Sequence, residues 1–206
     1  MSGWKTVAGA ACASFTEKKS EFIGHISPVT TEEEAIAFVN AIRKQYTDAK
    51  HNVYAYILRE NNTMRFSDDG EPHGTAGMPV LDVLRKAGIT DAAVVVTRYF
   101  GGILLGTGGL VRAYTQGAKM ALEQAGIAEM VELSAFSVKV GYPDHGKVEP
   151  LLSLCGVKNI STEFGAEVIL HGAIRKEDFA SLSEKLTEVT NGRAIVCEDG
   201  VTFGAV

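Results

Sequence analysis

Residues 92–126 have the sequence "AAVVVTRYFGGILLGTGGLVRAYTQGAKMALEQAG" and join an apolar segment to a helical one through glycines. The first nine residues are almost continuously apolar and β-branched, which is typical of a central strand buried on both faces. "GLVRAYTQGAKMALEQAG" (109–126) predicts a helix that ends at Gly126. Arg98 and Tyr99 then lie at the end of a central strand, where sheets with helices on their faces often bind their ligands.

The loop between this strand and this helix has two interpretations. Free N–H groups at a helix start attract anions, and Arg112 would lie one turn into the helix. Glycine is also selected where backbone segments pack closely. The phosphate-binding patterns GxxxxGK[ST] and GxGxxG are both absent, so the signal for a phosphate is suggestive but not specific. The glycines that shape the loop are Gly101, Gly102, Gly106, Gly108 and Gly109.

"FSDDGEPHGTAGMP" (66–79) is an acidic loop that suggests either a metal site or a tight turn. Closely spaced carboxylates bind Ca²⁺ or Mg²⁺, but the EF-hand spacing and HExxH are absent. Asp and Gly are also what turns require. We expect no metal and no cofactor, and we expect the carboxylates to orient Arg98, Arg65 or backbone N–H groups, with a bidentate pair aiming a guanidinium outward. The loop residues concerned are Asp68, Asp69, Gly70, Glu71, Pro72 and Thr75.

The composition is that of an ordinary globular protein, with 46% hydrophobic and 22% charged residues in 206. The net charge of −5 argues against non-specific coating of nucleic acid, so any such surface must be a local patch. Three scattered cysteines fit a reducing cytoplasm. No apolar run predicts a membrane span, and the weakly hydrophobic start favours a first strand over a cleaved leader. Without a GxSxG motif or a Cys–His pair, we expect no catalytic residue.

The element pattern predicts an α+β protein of two domains, residues 1–132 and 133–206. The second has the βαββαβ order of a ferredoxin-like fold. In the first, Thr30 or Thr31 can cap a helix, and glutamates three residues on complete a capping box. Its predicted segments are strands 6–16, 21–29, 52–60 and 92–100 and helices 30–46, 78–88 and 109–126. Those of the second are strands 133–141, 157–164, 167–175 and 193–203 and helices 145–155 and 177–190.

"FSDDGEPHGTAGMP" and "VVVTRYFGGILLGTGGLVRAY" together resemble the signature of the IMPACT family, in particular its bacterial, YigZ-like members. "EKKSEFI" and "DAKHNVYAY" resemble two weaker upstream motifs, and the tail from about 133 resembles the C-terminal domain of the bacterial members. The resemblance implies a first domain like a small-subunit ribosomal protein and domain IV of elongation factor G, and a second like its domain V. Position 21 is usually basic in the family. Glu21 therefore implies a weakened or relocated contact with any anionic partner.

Eukaryotic relatives act in translational control by competing for a partner of a stress-responsive kinase, so the resemblance also implies a protein partner. Our leading hypothesis is a cytoplasmic, non-enzymatic protein that binds RNA or the ribosome and modulates translation. The rivals are an enzyme or binder acting on a small phosphorylated metabolite at the same loop, and a pure protein-interaction module. The expected phosphate contacts are Lys18, Lys19, Arg65, Arg98 and Arg112, beside Tyr99 and the loop glycines.

Overall fold

The computed structural model describes residues 3–205 and divides the chain into two compact units. One unit is Trp4–Glu129, and the other consists of Gly3 and the chain from Met130, close to the boundary expected after residue 132. Both units combine helices with an antiparallel sheet, so the α+β class is confirmed. Within the described range, no helix is long and apolar enough to cross a membrane.

The first unit is built on a sheet with the strand order β2-β3-β6-β4-β5. Every neighbouring pair is antiparallel, and the apolar β6 lies in the middle, as its sequence predicts. The strands of this sheet are Ala11–Glu17 (β2), Ser20–Pro28 (β3), His51–Ile57 (β4), Met64–Ser67 (β5) and Ala92–Tyr99 (β6). A further strand of the unit, Trp4–Val7 (β1), is not part of it. The helices are Glu32–Gln45 (α1), Gly77–Ala87 (α2) and Thr107–Ala125 (α3).

Helices cover both faces of this sheet. Side chains along a strand point alternately to its two faces. Val94 and Val96 therefore pack in one core with residues of α2 and α3, whereas Val95 packs against α1. This double burial explains why β6 is apolar at successive positions rather than at alternate ones.

The predicted capping box of α1 is confirmed. The Thr31 hydroxyl accepts a hydrogen bond from the amide of Glu34 at 3.2 Å. The Glu34 carboxylate in turn accepts one from the amide of Thr30 at 2.7 Å. Each end of the box thus satisfies a donor that the helix leaves unpaired.

Two expectations for the first unit are wrong. The single strand predicted over 6–16 is two strands, because the chain leaves strand geometry after Val7, where the amide of Ala8 donates to the carbonyl of Gly126. β2 then begins at Ala11 and pairs with β3. The edge strand β5 has no counterpart in the prediction, since it is short and mostly exposed.

The second unit has the predicted βαββαβ order. Its elements are Ile127–Val140 (β7), Tyr142–Leu154 (α4), Lys158–Phe164 (β8), Val168–Arg175 (β9), Phe179–Val189 (α5) and Ile195–Ala205 (β10). β7 pairs antiparallel with β10 and with β9, and β9 pairs antiparallel with β8. β7 and β8 therefore run parallel on either side of β9, which is the split-βαβ arrangement. β7 begins at Ile127, earlier than the predicted 133.

Candidate functional site

One end of the first sheet gathers the motifs that the sequence singles out. The register aligns Phe22, Arg98 and His51 across β3, β6 and β4. The turn before β3, the residues before β4 and the loop after β6 therefore lie at the same end of the sheet. We call this region the loop end; it comprises residues 17–20, Lys50, 68–75 and 100–109.

The start of α3 belongs to the loop end because α3 follows β3 in register. Gly117 lies against Gly24, where a Cβ on Gly24 would meet the Gly117 carbonyl oxygen at 2.3 Å. Tyr114, nearer the start of α3, contacts the ring of Phe22 edge-on at 5.3 Å. From the pair Gly24–Gly117 to the pair Phe22–Tyr114, both β3 and α3 run toward the loop end. The first turn of α3 therefore lies beside the turn that precedes β3.

A buried ionic network lies beneath the loop end. Oε1 of Glu71 accepts hydrogen bonds from Nη1 of Arg98 at 2.6 Å and from the hydroxyl of Tyr114 at 2.7 Å. The side chains of Arg98 and Glu71 are only 7% and 4% exposed. Burial, together with the negative charge of Glu71, raises the pKa of Tyr114 well above its ordinary value. Tyr114 therefore stays a hydrogen-bond donor at every physiological pH.

This geometry corrects the expected orientation of Arg98. Arg98 shares its face of β6 with Val94 and Val96, so its guanidinium points into the unit, toward the layer that contains α3. It also approaches the Ser20 hydroxyl at 3.5 Å. The acidic loop does orient this arginine, through Glu71, but it holds the guanidinium inward rather than aiming it at solvent.

The other two carboxylates of the acidic loop also bind protein donors. Asp68 accepts from the amides of Gly74, Ala76 and Gly77 at 2.9, 3.1 and 2.8 Å, which satisfies donors at the start of α2. Asp69 accepts from the Asn52 amide at 2.6 Å.

Asp69 also accepts from Nη2 of Arg43 at 2.6 Å. All three carboxylates are thus used in positioning the chain. Across residues 3–205, no group of three or more His, Cys, Asp or Glu side chains is arranged to hold a metal ion.

Asp68→Ala is expected to destabilise the protein by about 0.5–2 kcal/mol, the usual effect of losing a helix cap. Burial raises the pKa of the Asp68 carboxyl, but the three amide donors outweigh it and the net pKa is lowered. A lowered folded-state pKa gives stability above the unfolded pKa of about 3.9 that is lost as the pH falls through the folded value. Urea unfolding at pH 7 and pH 3 measures this. A cost that is equal at both pH values would contradict the assignment.

The basic residues of the loop end are exposed. Lys18 and Lys19 form a two-residue turn between β2 and β3, with φ values of 45° and 66°. Such a turn needs positive φ at both positions and usually carries Asn-Gly. The loop after β6 rests directly on this turn, since a Cβ on Gly101 would lie 1.9 Å from the Lys19 carbonyl oxygen. The Gly101 amide also donates to the Ser20 hydroxyl at 3.2 Å.

Arg112 lies in the first turns of α3, with a guanidinium nitrogen 3.8 Å from where a Cβ of Gly108 would be. Gly106 is the N-cap residue of α3, with no side-chain cap and no acidic residue in the first turn. Gly102 and Gly108 are exposed and Gly109 is half-buried. The helix start therefore has no side-chain cap, and the guanidinium of Arg112 lies beside its first turn.

Two other expected residues lie apart from these cations. Arg65 is on the edge strand β5 opposite Tyr56, several residues along β4 from the loop end, and its nearest acid is Glu32 at 3.8 Å. Tyr99 faces the α1 side, where its hydroxyl donates to Asp48 at 2.7 Å; this hydrogen bond raises the pKa of Tyr99 to about 12. Lys18 and Lys19 thus lie in the turn at the loop end and Arg112 lies on α3 just beyond it, whereas Arg65 lies on the edge strand β5.

Sequence reasoning missed Tyr114, Ser20 and Phe100 as members of this region. Tyr114 had a usable signal, because a tyrosine on the buried face of a helix needs a partner for its hydroxyl. Ser20 had none, since a serine after a lysine pair looks like any turn residue. Phe100 is 45% exposed at the start of the glycine-rich loop. Its role depends on neighbours that only the fold supplies.

Comparison with known proteins agrees with this architecture. The Impact N-terminal domain matches residues 18–122, and a domain of unknown function, DUF1949, matches residues 138–193. The chain is 38% identical to the IMPACT family member YvyE of Bacillus subtilis, over 96% of this chain and 92% of that protein. It is 36% identical to the IMPACT family member YigZ of Escherichia coli, over 93% and 96%.

A crystal structure of a protein described as hypothetical is similar along both units. It has a TM-score of 0.61 and 36% identity, and the alignment covers 95% of this chain and 97% of the other. The signature loops quoted from the sequence thus fall inside a domain match that extends over half of the chain, and the second unit contains a match of its own. The chain belongs to the IMPACT family.

Proposed function

We propose that the protein binds RNA, free or within the ribosome, through phosphate contacts at the loop end, and that it modulates translation in this way. One observation carries the proposal. Lys18, Lys19 and Arg112 are exposed, and no residue in the described range forms a hydrogen bond or ion pair with their charged groups. They border a helix start whose N–H groups are uncapped. Free cations and free amides together are a typical phosphate-binding arrangement.

The overall negative charge is compatible with this surface because the acidic loop is neutralised within the fold. Asp68 is bound by three backbone amides, and Glu71 is bound by Arg98 and Tyr114. Neither carboxylate points its oxygens at an incoming phosphate. Glu17 and Glu21 are opposing charges that remain exposed beside the turn of Lys18 and Lys19.

The rival hypothesis of a phosphorylated metabolite requires a pocket at the glycine-rich loop. A groove of about 580 Å³ does exist in the first unit, but it lies between α2 and α3. Met78, Val83 and Val111 are among the residues that line it, and none of its lining residues belongs to 100–109. Gly74 of the loop end also lines this groove, and Arg112 lines a second groove of about 360 Å³ on the surface of α3. Neither groove includes a residue of 100–109, so neither supports a metabolite at the glycine-rich loop itself.

Fluorescence anisotropy with single-stranded RNA, and sedimentation with ribosomes, test the proposal. Lys18→Ala with Lys19→Ala, or Arg112→Ala, should weaken binding across all RNA sequences, because phosphate contacts carry no base information. Arg65→Ala is the matched control, since it removes the same charge away from the loop end. Glu21→Lys should strengthen binding. Equal weakening by Arg65→Ala would show that net charge, and not this surface, controls binding.

The turn of Lys18 and Lys19 should show a trade between stability and binding. Changing it to Asn-Gly is expected to stabilise the protein by roughly 1 kcal/mol or more, because left-handed backbone costs L residues about 1–2 kcal/mol each. The same change removes two cations and should weaken RNA binding. Asn62→Gly is the control, since Asn62 also has positive φ, at 52°, but lies in the connection between β4 and β5. It should stabilise the protein and leave binding unchanged.

A further inference from the structure

The loop end exposes an aromatic ring among its positive charges. Phe100 follows β6 directly, and 45% of it is exposed. The ammonium of Lys50 lies 5.9 Å from the ring centroid, and the guanidinium carbon of Arg98 lies 5.5 Å from it. Both distances are within the range of a cation–π contact. Both cations lie over the ring, and 45% of the residue remains exposed to a partner.

The backbone that carries Phe100 is fixed on both sides. Arg98, two residues before it, is held by the buried Glu71. Gly101, the next residue, rests on the backbone of Lys19 and donates to Ser20. An isolated exposed phenylalanine needs no explanation. One that is presented from a fixed backbone, beside a lysine (Lys50) that has no ion-pair partner in the described chain, is suited to binding a flat, negatively charged partner.

We propose that Phe100 stacks on an unpaired base of an RNA strand whose phosphates are bound by Lys18, Lys19 and Arg112. This inference rests on the function proposed above and narrows its substrate to single-stranded RNA. Sequence-tolerant single-strand binding combines a cationic track with aromatic rings, because every base has a π-face. A continuous A-form duplex keeps its bases stacked on one another and offers no such face.

A membrane surface is the other partner to weigh, since Ile103 and Leu104 in the same loop are 42% and 82% exposed. Inserting Phe100 among acyl chains would draw the Lys50 ammonium out of water, which is costly for an unpaired charge. A base stacked on the ring instead leaves Lys50 beside the phosphates of the strand. The position of Lys50 therefore favours an RNA strand over a membrane surface as the partner.

The test compares a short oligoadenylate with an abasic strand of the same length, which has the same phosphates and no bases. The full-length wild type should bind the oligoadenylate more tightly. Phe100→Leu should weaken that binding about tenfold and leave abasic binding unchanged, as expected for one stacked base. Phe100→Trp should restore affinity, and oligoadenylate should quench its fluorescence beyond any change at Trp4, the chain's single tryptophan. Leu104→Ala is the control and should bind both strands as the wild type does.

The outcomes separate this inference from the function on which it rests. If the wild type binds both strands equally well, phosphate binding stands and stacking is overturned. If it binds neither strand, both proposals fail. If it binds phosphatidylserine vesicles but not oligoadenylate, and Leu104→Ala abolishes that binding, the loop is a membrane contact and the stacking proposal is wrong.

Discussion

Glu71→Gln is expected to destabilise the protein by about 3–5 kcal/mol, because it leaves the charge of Arg98 buried without a counter-ion. The two side chains are 4% and 7% exposed, and 2.6 Å separates Oε1 of Glu71 from Nη1 of Arg98. Glutamine keeps the shape of the side chain and keeps an oxygen for the Tyr114 hydroxyl. The loss of stability therefore reports the missing charge of Glu71 rather than a cavity. Urea unfolding monitored by circular dichroism gives the value.

Two further variants make this result specific. Arg98→Met in the Glu71→Gln background should recover much of the lost stability, since a buried pair replaced by apolar groups leaves no orphaned charge. Arg85→Gln breaks an exposed pair with Asp82, in which Arg85 is 59% exposed, and should cost less than about 1 kcal/mol. A Glu71→Gln cost as small as that of Arg85→Gln would mean that the network does not hold the loop end.

Gly24→Ala is expected to destabilise the protein by about 1–3 kcal/mol or more, the cost of overpacking a core. An added Cβ would meet the Gly117 carbonyl oxygen at 2.3 Å and the Cβ of Ala121 at 3.2 Å. The nearest atom is backbone in the middle of α3, so the whole helix must move away from the sheet. RNA binding should weaken as well, because the same helix carries Arg112 and the uncapped amides.

Gly9→Ala is the matched control for this change. No atom lies within 4 Å of the position its Cβ would occupy, and its φ is not in the left-handed region. Thermal unfolding of both variants, with ΔΔG evaluated at the transition midpoint, compares a glycine with no room for a Cβ (Gly24) with one that has room for it (Gly9). Equal stability of the two variants would contradict the close approach of α3 to β3.

Elements that have a strong hydrophobic pattern, or a clear capping or terminating residue, were predictable from sequence. The apolar run of β6, the capping box before α1 and the glycines that end α2 and α3 each specify their element locally. The capping role of the acidic loop was also predictable, because Asp68 precedes a helix that offers unpaired amides. Each of these features depends only on residues that are close to it in sequence.

The orientation of arginines was not predictable in the same way. β6 is apolar on both faces, so its pattern does not show which face Arg98 shares or that Glu71 and Tyr114 lie opposite. The position of Arg65, away from the loop end, was not predictable either, because β5 is a short edge strand and its register with β4 decides where Arg65 lies. Tertiary pairing determines these positions, and a single sequence does not display that pairing.

The salt dependence of RNA binding tests most directly whether the proposed phosphate contacts form at Lys18, Lys19 and Arg112. For single strands, the slope of log K against log salt is about −0.7 for each phosphate neutralised. The wild type should show a steep negative slope, and the variant lacking Lys18, Lys19 and Arg112 a shallower one by about two units. Arg65→Ala should keep the wild-type slope. Identical slopes for the wild type and the triple variant, or no binding at low salt, would contradict the account.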